Sequence, residues 1–124
     1  MTARFNHLMI PAHAPTASAA FYRSLIEVED APSWGPFVNL LLTDGVLLQF
    51  ATPPTAFDSM HFAFLVDDEH FDRARASLEA SATDYWADPH RTKLNEIGTE
   101  DDARALYVVD PNRHLVELLT KPYV

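Results

Sequence analysis

Two short apolar segments, each carrying one histidine, constrain this chain most. FNHLMI spans Phe5–Ile10 and holds His7; MHFAFLV spans Met60–Val66 and holds His61. Both read as strands with an inward-pointing imidazole, and each opens a similar run of elements. After the first come a helix begun at Pro15-Thr16, with Ala17, Ala20, Phe21, Ser24 and Leu25 at helical spacing, and a short linking strand or turn at Glu27–Asp30. The loop Ala31–Pro36 follows, then the runs Phe37–Leu42 and Val46–Phe50, whose intervening Asp44-Gly45 is a hairpin signal. After the second come Asp67 as a helix N-cap, a helix over Asp68–Ala80 with Phe71, Ala74 and Leu78 on one stripe, and an aromatic irregular stretch from Tyr85 to Arg91. Strands at Ala103–Val109 and His114–Thr120 close the chain. The order is therefore β-α-β-β-β twice, a diverged duplication with a longer loop in its second half. The proline-rich Thr52-Pro53-Pro54-Thr55 cannot continue a strand or helix and separates a module at about 1–52 from one at about 58–124 within a single domain.

Three polar groups sit inside these apolar runs: His7, His61 and, in HLVELL, Glu117. A polar group embedded in a hydrophobic strand needs a partner. Two imidazoles and a carboxylate with positions left over suit a divalent metal that also binds substrate, with Fe, Mn, Zn and Ni all compatible. A salt bridge from Arg104 is the rival explanation for Glu117, and a backbone carbonyl for each histidine.

Composition narrows the partners. A chain of 124 residues with net charge -9 has little of the Lys and Arg that bind phosphate, which argues against nucleic acid and, more weakly, against anionic membranes, and would favour a cationic small molecule. There is no cysteine, so disulfides, thiolate ligands and a cysteine nucleophile are excluded. No secretory leader or membrane-length apolar run is evident, and the expectation is a cytoplasmic protein.

FNHLMI, the WGPFVNLLLTDGVLLQF hairpin, MHFAFLV and DPNRHLVELL together resemble the vicinal oxygen chelate superfamily, which includes glyoxalase I, the bleomycin-resistance proteins, extradiol dioxygenases and fosfomycin-resistance enzymes. The resemblance covers nearly the whole chain. It implies an α+β fold in which two β-α-β-β-β modules form a cupped mixed sheet around a cavity. It also implies a metal at His7, His61 and Glu117, with Gln49 at the fourth family position, where glyoxalase-like enzymes carry a carboxylate. The function implied is a metal-dependent lyase, isomerase or dioxygenase acting on a small oxygenated substrate; the alternative is a metal-free sequestering protein of the bleomycin-resistance type. His90 and Tyr107 are the candidates for proton transfer, and Trp34, Phe37, Trp86 and Tyr123 for the substrate pocket. A single pair of modules can close its own cup, or, since small members commonly form homodimers, exchange modules with a second chain, which would join His7 of one chain to His61 and Glu117 of the other. His13, His70 and His114 read as exposed or capping residues.

Overall fold

A computed structural model describes all 124 residues. The chain divides into two compact units, Met1–Asp58 and Ser59–Val124.

The first unit contains β1 (His7–Pro11), α1 (Pro15–Ile26), β2 (Glu29–Asp30), β3 (Val38–Leu41) and β4 (Leu47–Ala51). Its sheet runs β1-β4-β3-β2, with β1 parallel to β4 and the other pairs antiparallel. Pro15 occupies the first turn of α1, where its missing N–H leaves no bond unmade. Gly45 supplies the positive φ of 91° at which the β3–β4 hairpin reverses. The helix does not bury the face expected from its alanines. Ser18, Ala19, Tyr22, Leu25 and Ile26 are buried, whereas Ala17, Ala20 and Ser24 are exposed. Both sets have helical spacing. The face carrying Tyr22 and Ile26 covers more apolar surface, and Tyr22 packs on Phe50 at 5.1 Å between ring centroids. Ile10, Leu40, Leu48 and Phe50 complete this core.

The second unit contains β5 (His61–Leu65), α2 (Asp68–Ala80), β6 (Tyr85–Trp86), β7 (Gly98–Glu100), β8 (Ala103–Val109) and β9 (Leu115–Leu119). Its sheet runs β5-β9-β8-β6, with β7 also pairing β8, and β5 lies parallel to β9 as β1 does to β4. The Asp67 carboxylate accepts from the His70 N–H at 2.7 Å and starts α2 where the sequence places it. Phe71, Ala74 and Leu78 are buried as expected. The longer loop of this half holds two short strands, β6 and β7.

The units share an internal register. Gln49 faces Met9 on one side and Asn39 on the other; Glu117 faces Ala63 and Tyr107. His7 and His61 each stand two residues before the partner of Gln49 or Glu117, so each histidine and its polar counterpart project from the same sheet face. The fold is thus α+β, built from two β-α-β-β-β modules.

Two polar knots tie the second unit. Tyr85 is buried; its hydroxyl donates to Glu79 Oε1 at 2.6 Å and accepts from Arg75 Nε at 2.9 Å. Burial raises the Tyr85 pKa, the bond to Glu79 raises it further, and Arg75 opposes the shift. A phenol raised in the folded state contributes stability that is complete below its unfolded value of about 10 and is lost as pH climbs through the folded value. Tyr85→Phe should therefore lower the urea midpoint at about pH 8 by an amount worth about 1–2 kcal/mol, with a shallower decline than wild type above about pH 10. Equal alkaline decline in both proteins would mean that Tyr85 does not carry this dependence.

The second knot is the turn before β9. Asp110 Oδ1 accepts from the Asn112 and His114 N–H groups, each at 2.8 Å. His114, expected as an exposed or capping residue, is fully buried, and its Nδ1 accepts from the Met60 N–H at 2.9 Å. That acceptor role leaves the ring proton on Nε2. A histidine in a turn sequence reads as exposed because its partner, Met60, is 54 residues away.

Candidate active site

Within the second unit, the parallel pairing of β5 with β9 and the antiparallel pairing of β8 with β9 gather His61, Glu117 and Tyr107 on one sheet face. Glu117 is 3% exposed, although its position between Val116 and Leu118 would suit an apolar side chain. Arg104, the expected rival partner, is engaged elsewhere. Its guanidinium binds Asp72 at 2.7 Å and Asp68 at 3.0 Å, and lies 4.5 Å from the centroid of the Phe71 ring.

Glu117 instead meets His61 and two tyrosines. His61 Nε2 stands 3.6 Å from Glu117 Oε1. That is too long for a hydrogen bond. It is close to the roughly 3.4 Å that separates two ligands bound about 2.1 Å from one tetrahedral ion. The Tyr123 hydroxyl donates to Glu117 Oε2 at 2.9 Å and Oε1 at 3.1 Å. Tyr107 packs edge-on against the His61 ring, with centroids 6.1 Å apart. Burial first, then the Glu117 charge, pushes the Tyr107 hydroxyl far above the usual phenol range. The Tyr107 phenol is therefore protonated at neutral pH.

Glu117 and the two tyrosines, but not His61, open into a cleft of about 720 Å³ confined to the second unit. Glu117, Tyr107 and Tyr123 line it, as do Glu96, Glu100 and Asp101 from the loop that lengthens this half. Periodicity gave no hint of those three acids, because Glu96 and Asp101 lie outside regular elements and Glu100 ends the three-residue β7, too short to show a face.

The other sequence candidates fall differently. The two strand histidines, expected to point inward, are exposed in the chain, and the His61 side chain retains 48% of its accessible surface. β1 and β5 are edge strands, so the face that bears each histidine is not covered as it is on β4 and β9. The Asn6 amide lies 2.8 Å from His7 Nδ1, so this contact leaves Nε2 of that ring unengaged. Gln49 is buried on β4 opposite Asn39, whose Oδ1 has no hydrogen-bond partner. His90 is exposed in a turn organised by Asp88, which accepts from the Thr92 and Lys93 N–H groups, and it does not line the cleft. Trp86 is half-buried with the Arg91 guanidinium over its ring, and Trp34 is exposed in the first unit near the half-buried Phe37. None of these three aromatics lines the cleft. No group of three or more His, Cys, Asp or Glu side chains is gathered at metal-binding distance within the chain.

Comparison with known proteins extends the fold to a family. No family profile and no curated protein sequence matches the chain. Among solved structures, the oxidase ChaP-H2 is 36% identical, with a TM-score of 0.93 over 99% of this chain and 97% of its own. The oxidase ChaP-H1 is 33% identical, with a TM-score of 0.92 over 98% of each chain. A lactoylglutathione lyase from Agrobacterium tumefaciens shares the fold at 18% identity, with a TM-score of 0.73 over 96% of this chain and 94% of its own. With the duplicated β-α-β-β-β register, and with relatives above 30% identity matched along almost their whole length, this chain belongs to the vicinal oxygen chelate superfamily.

Proposed function

We propose that this chain is a metal-dependent enzyme acting on a small oxygenated substrate, with His61 and Glu117 as two metal ligands and His7 as the third. The observation that carries the reading is the approach of His61 Nε2 to a buried Glu117 carboxylate at a distance suited to two ligands of one ion. The third imidazole, His7, would come from the same chain or, in a homodimer that exchanges modules, from a second copy. Gln49 is kept as a substrate or metal ligand of lower affinity, since a neutral amide oxygen donates less strongly than a carboxylate.

Fe, Mn, Zn and Ni all suit this nitrogen and oxygen donor set. Such an ion would stabilise negative charge developing on a substrate oxygen and, where redox-active, support oxidation. Two relatives above 30% identity are named as oxidases, which favours oxidation over lyase or isomerase chemistry. Tyr107, facing Glu117 across the β8–β9 pair, would hold a proton toward a substrate oxygen in the cleft. We assign that role to Tyr107 in preference to His90, which stands outside the cleft. The protein's own contribution is to orient the substrate against the β8–β9 face and to shield it from water.

The second reading is a metal-free protein that sequesters a cationic compound. Glu96, Glu100 and Asp101 along the cleft favour it. Elemental analysis of gently purified protein decides between the two. Near-stoichiometric metal in the wild type, lost in His7→Ala, His61→Ala and Glu117→Ala alike, is the expected result. No metal uptake after anaerobic addition of Fe(II), Mn(II), Zn(II) or Ni(II) would sink the metalloenzyme reading, and tight binding of an organic cation would then establish the other.

A further inference from the structure

The last residues of the chain follow β9 without regular structure, and Tyr123 keeps 79% of its surface accessible. An exposed side chain on such a tail is ordinarily free to sample many rotamers. Here its hydroxyl instead donates to both oxygens of Glu117, at 2.9 and 3.1 Å, while the carboxylate itself is 3% exposed. A phenol shared between both carboxylate oxygens engages a lone pair on each, which an incoming cation would otherwise use.

We infer that Tyr123 is a C-terminal latch on Glu117: its hydroxyl occupies the carboxylate in the metal-free protein and is displaced when a divalent metal enters. The inference rests on the proposed metal role of Glu117 and adds a competing occupant that belongs to the chain. The exchange needs no covalent step. One charge-assisted hydrogen-bond arrangement is given up and the Glu117 oxygen becomes a ligand, so the latch weakens the apparent metal affinity by the cost of opening it. The tail is suited to such movement. It pairs with no strand, and the exposed side chains of Lys121, Pro122 and Val124 need not leave a core when it swings away.

Calorimetric titration with Zn(II) on the full chain tests this in wild type, Tyr123→Phe and Glu117→Ala. The phenylalanine keeps the ring and loses only the hydroxyl. Tyr123→Phe should bind Zn(II) about tenfold more tightly than wild type, the change expected when a hydrogen bond to a charged group no longer competes. Wild type carrying 3-fluorotyrosine should also show one fluorine resonance moving toward the free-tyrosine position as Zn(II) saturates, and that resonance should be missing in Tyr123→Phe. Equal or weaker Zn(II) affinity in Tyr123→Phe, with binding in wild type and none in Glu117→Ala, overturns the latch and leaves the metal site standing. Zn(II) binding by none of the three proteins, or equally by all three, overturns the metal role of Glu117 and the latch with it.

Discussion

Glu117→Ala should reduce divalent-metal affinity by on the order of a hundredfold or more, while leaving the metal-free protein about as stable as the wild type. The two effects separate because they have different origins. In the metal-free chain, Glu117 is a buried charge whose desolvation is offset by hydrogen bonds from Tyr123 and by the nearby His61 imidazole. Removing it discards those bonds and also the desolvation cost, and Tyr123 is exposed enough for its hydroxyl to turn to water. A carboxylate kept for structure would behave otherwise, since its loss would unfold the unit as well. Glu117→Gln is the sharper variant because it preserves volume and removes only the charge. Metal titration and urea denaturation on the same samples check the result. A large fall in stability with no change in metal affinity would assign Glu117 to structure.

Phe50→Ala should destabilise the protein by about 3–5 kcal/mol, a large share of the roughly 5–15 kcal/mol available to a domain of this size. Phe50 is fully buried on β4 and stacks at a tilt against Tyr22 of α1, so it joins the helix to the first sheet. Truncation removes the transfer energy of a phenyl ring and opens a cavity that Tyr22, held in the helix, can fill only in part. Phe50→Leu retains most of the volume and should cost far less. Urea denaturation followed by far-ultraviolet circular dichroism gives both values. A shift below about 1 kcal/mol for Phe50→Ala would mean that the first core relaxes around the loss.

Much of this architecture is legible in one dimension because periodicity is a local property. The α2 stripe and its Asp67 cap, the Asp44-Gly45 hairpin and the strand at Ala103–Val109 each follow from residues adjacent in sequence. The repeated element order is legible for the same reason, and it places His7, His61, Gln49 and Glu117 at corresponding registers. The α1 face was not, because Ala, Ser and Tyr at overlapping spacings define two plausible stripes, and only the sheet beneath selects the one bearing Tyr22 and Ile26.

From its residues alone the chain determined two modules, their strand-borne polar groups, and the chemistry those groups suit. Burial and partnership were decided only in three dimensions. Exposure of His7 and His61 follows from the edge positions of β1 and β5, burial of His114 from a bond to Met60, and diversion of Arg104 from two carboxylates on α2. The contact between Tyr123 and Glu117 depends on where an irregular tail turns back after β9. A side chain's type sets which bonds it can make. Strand order and chain reversal set which partners come within reach, and those distances belong to the tertiary structure.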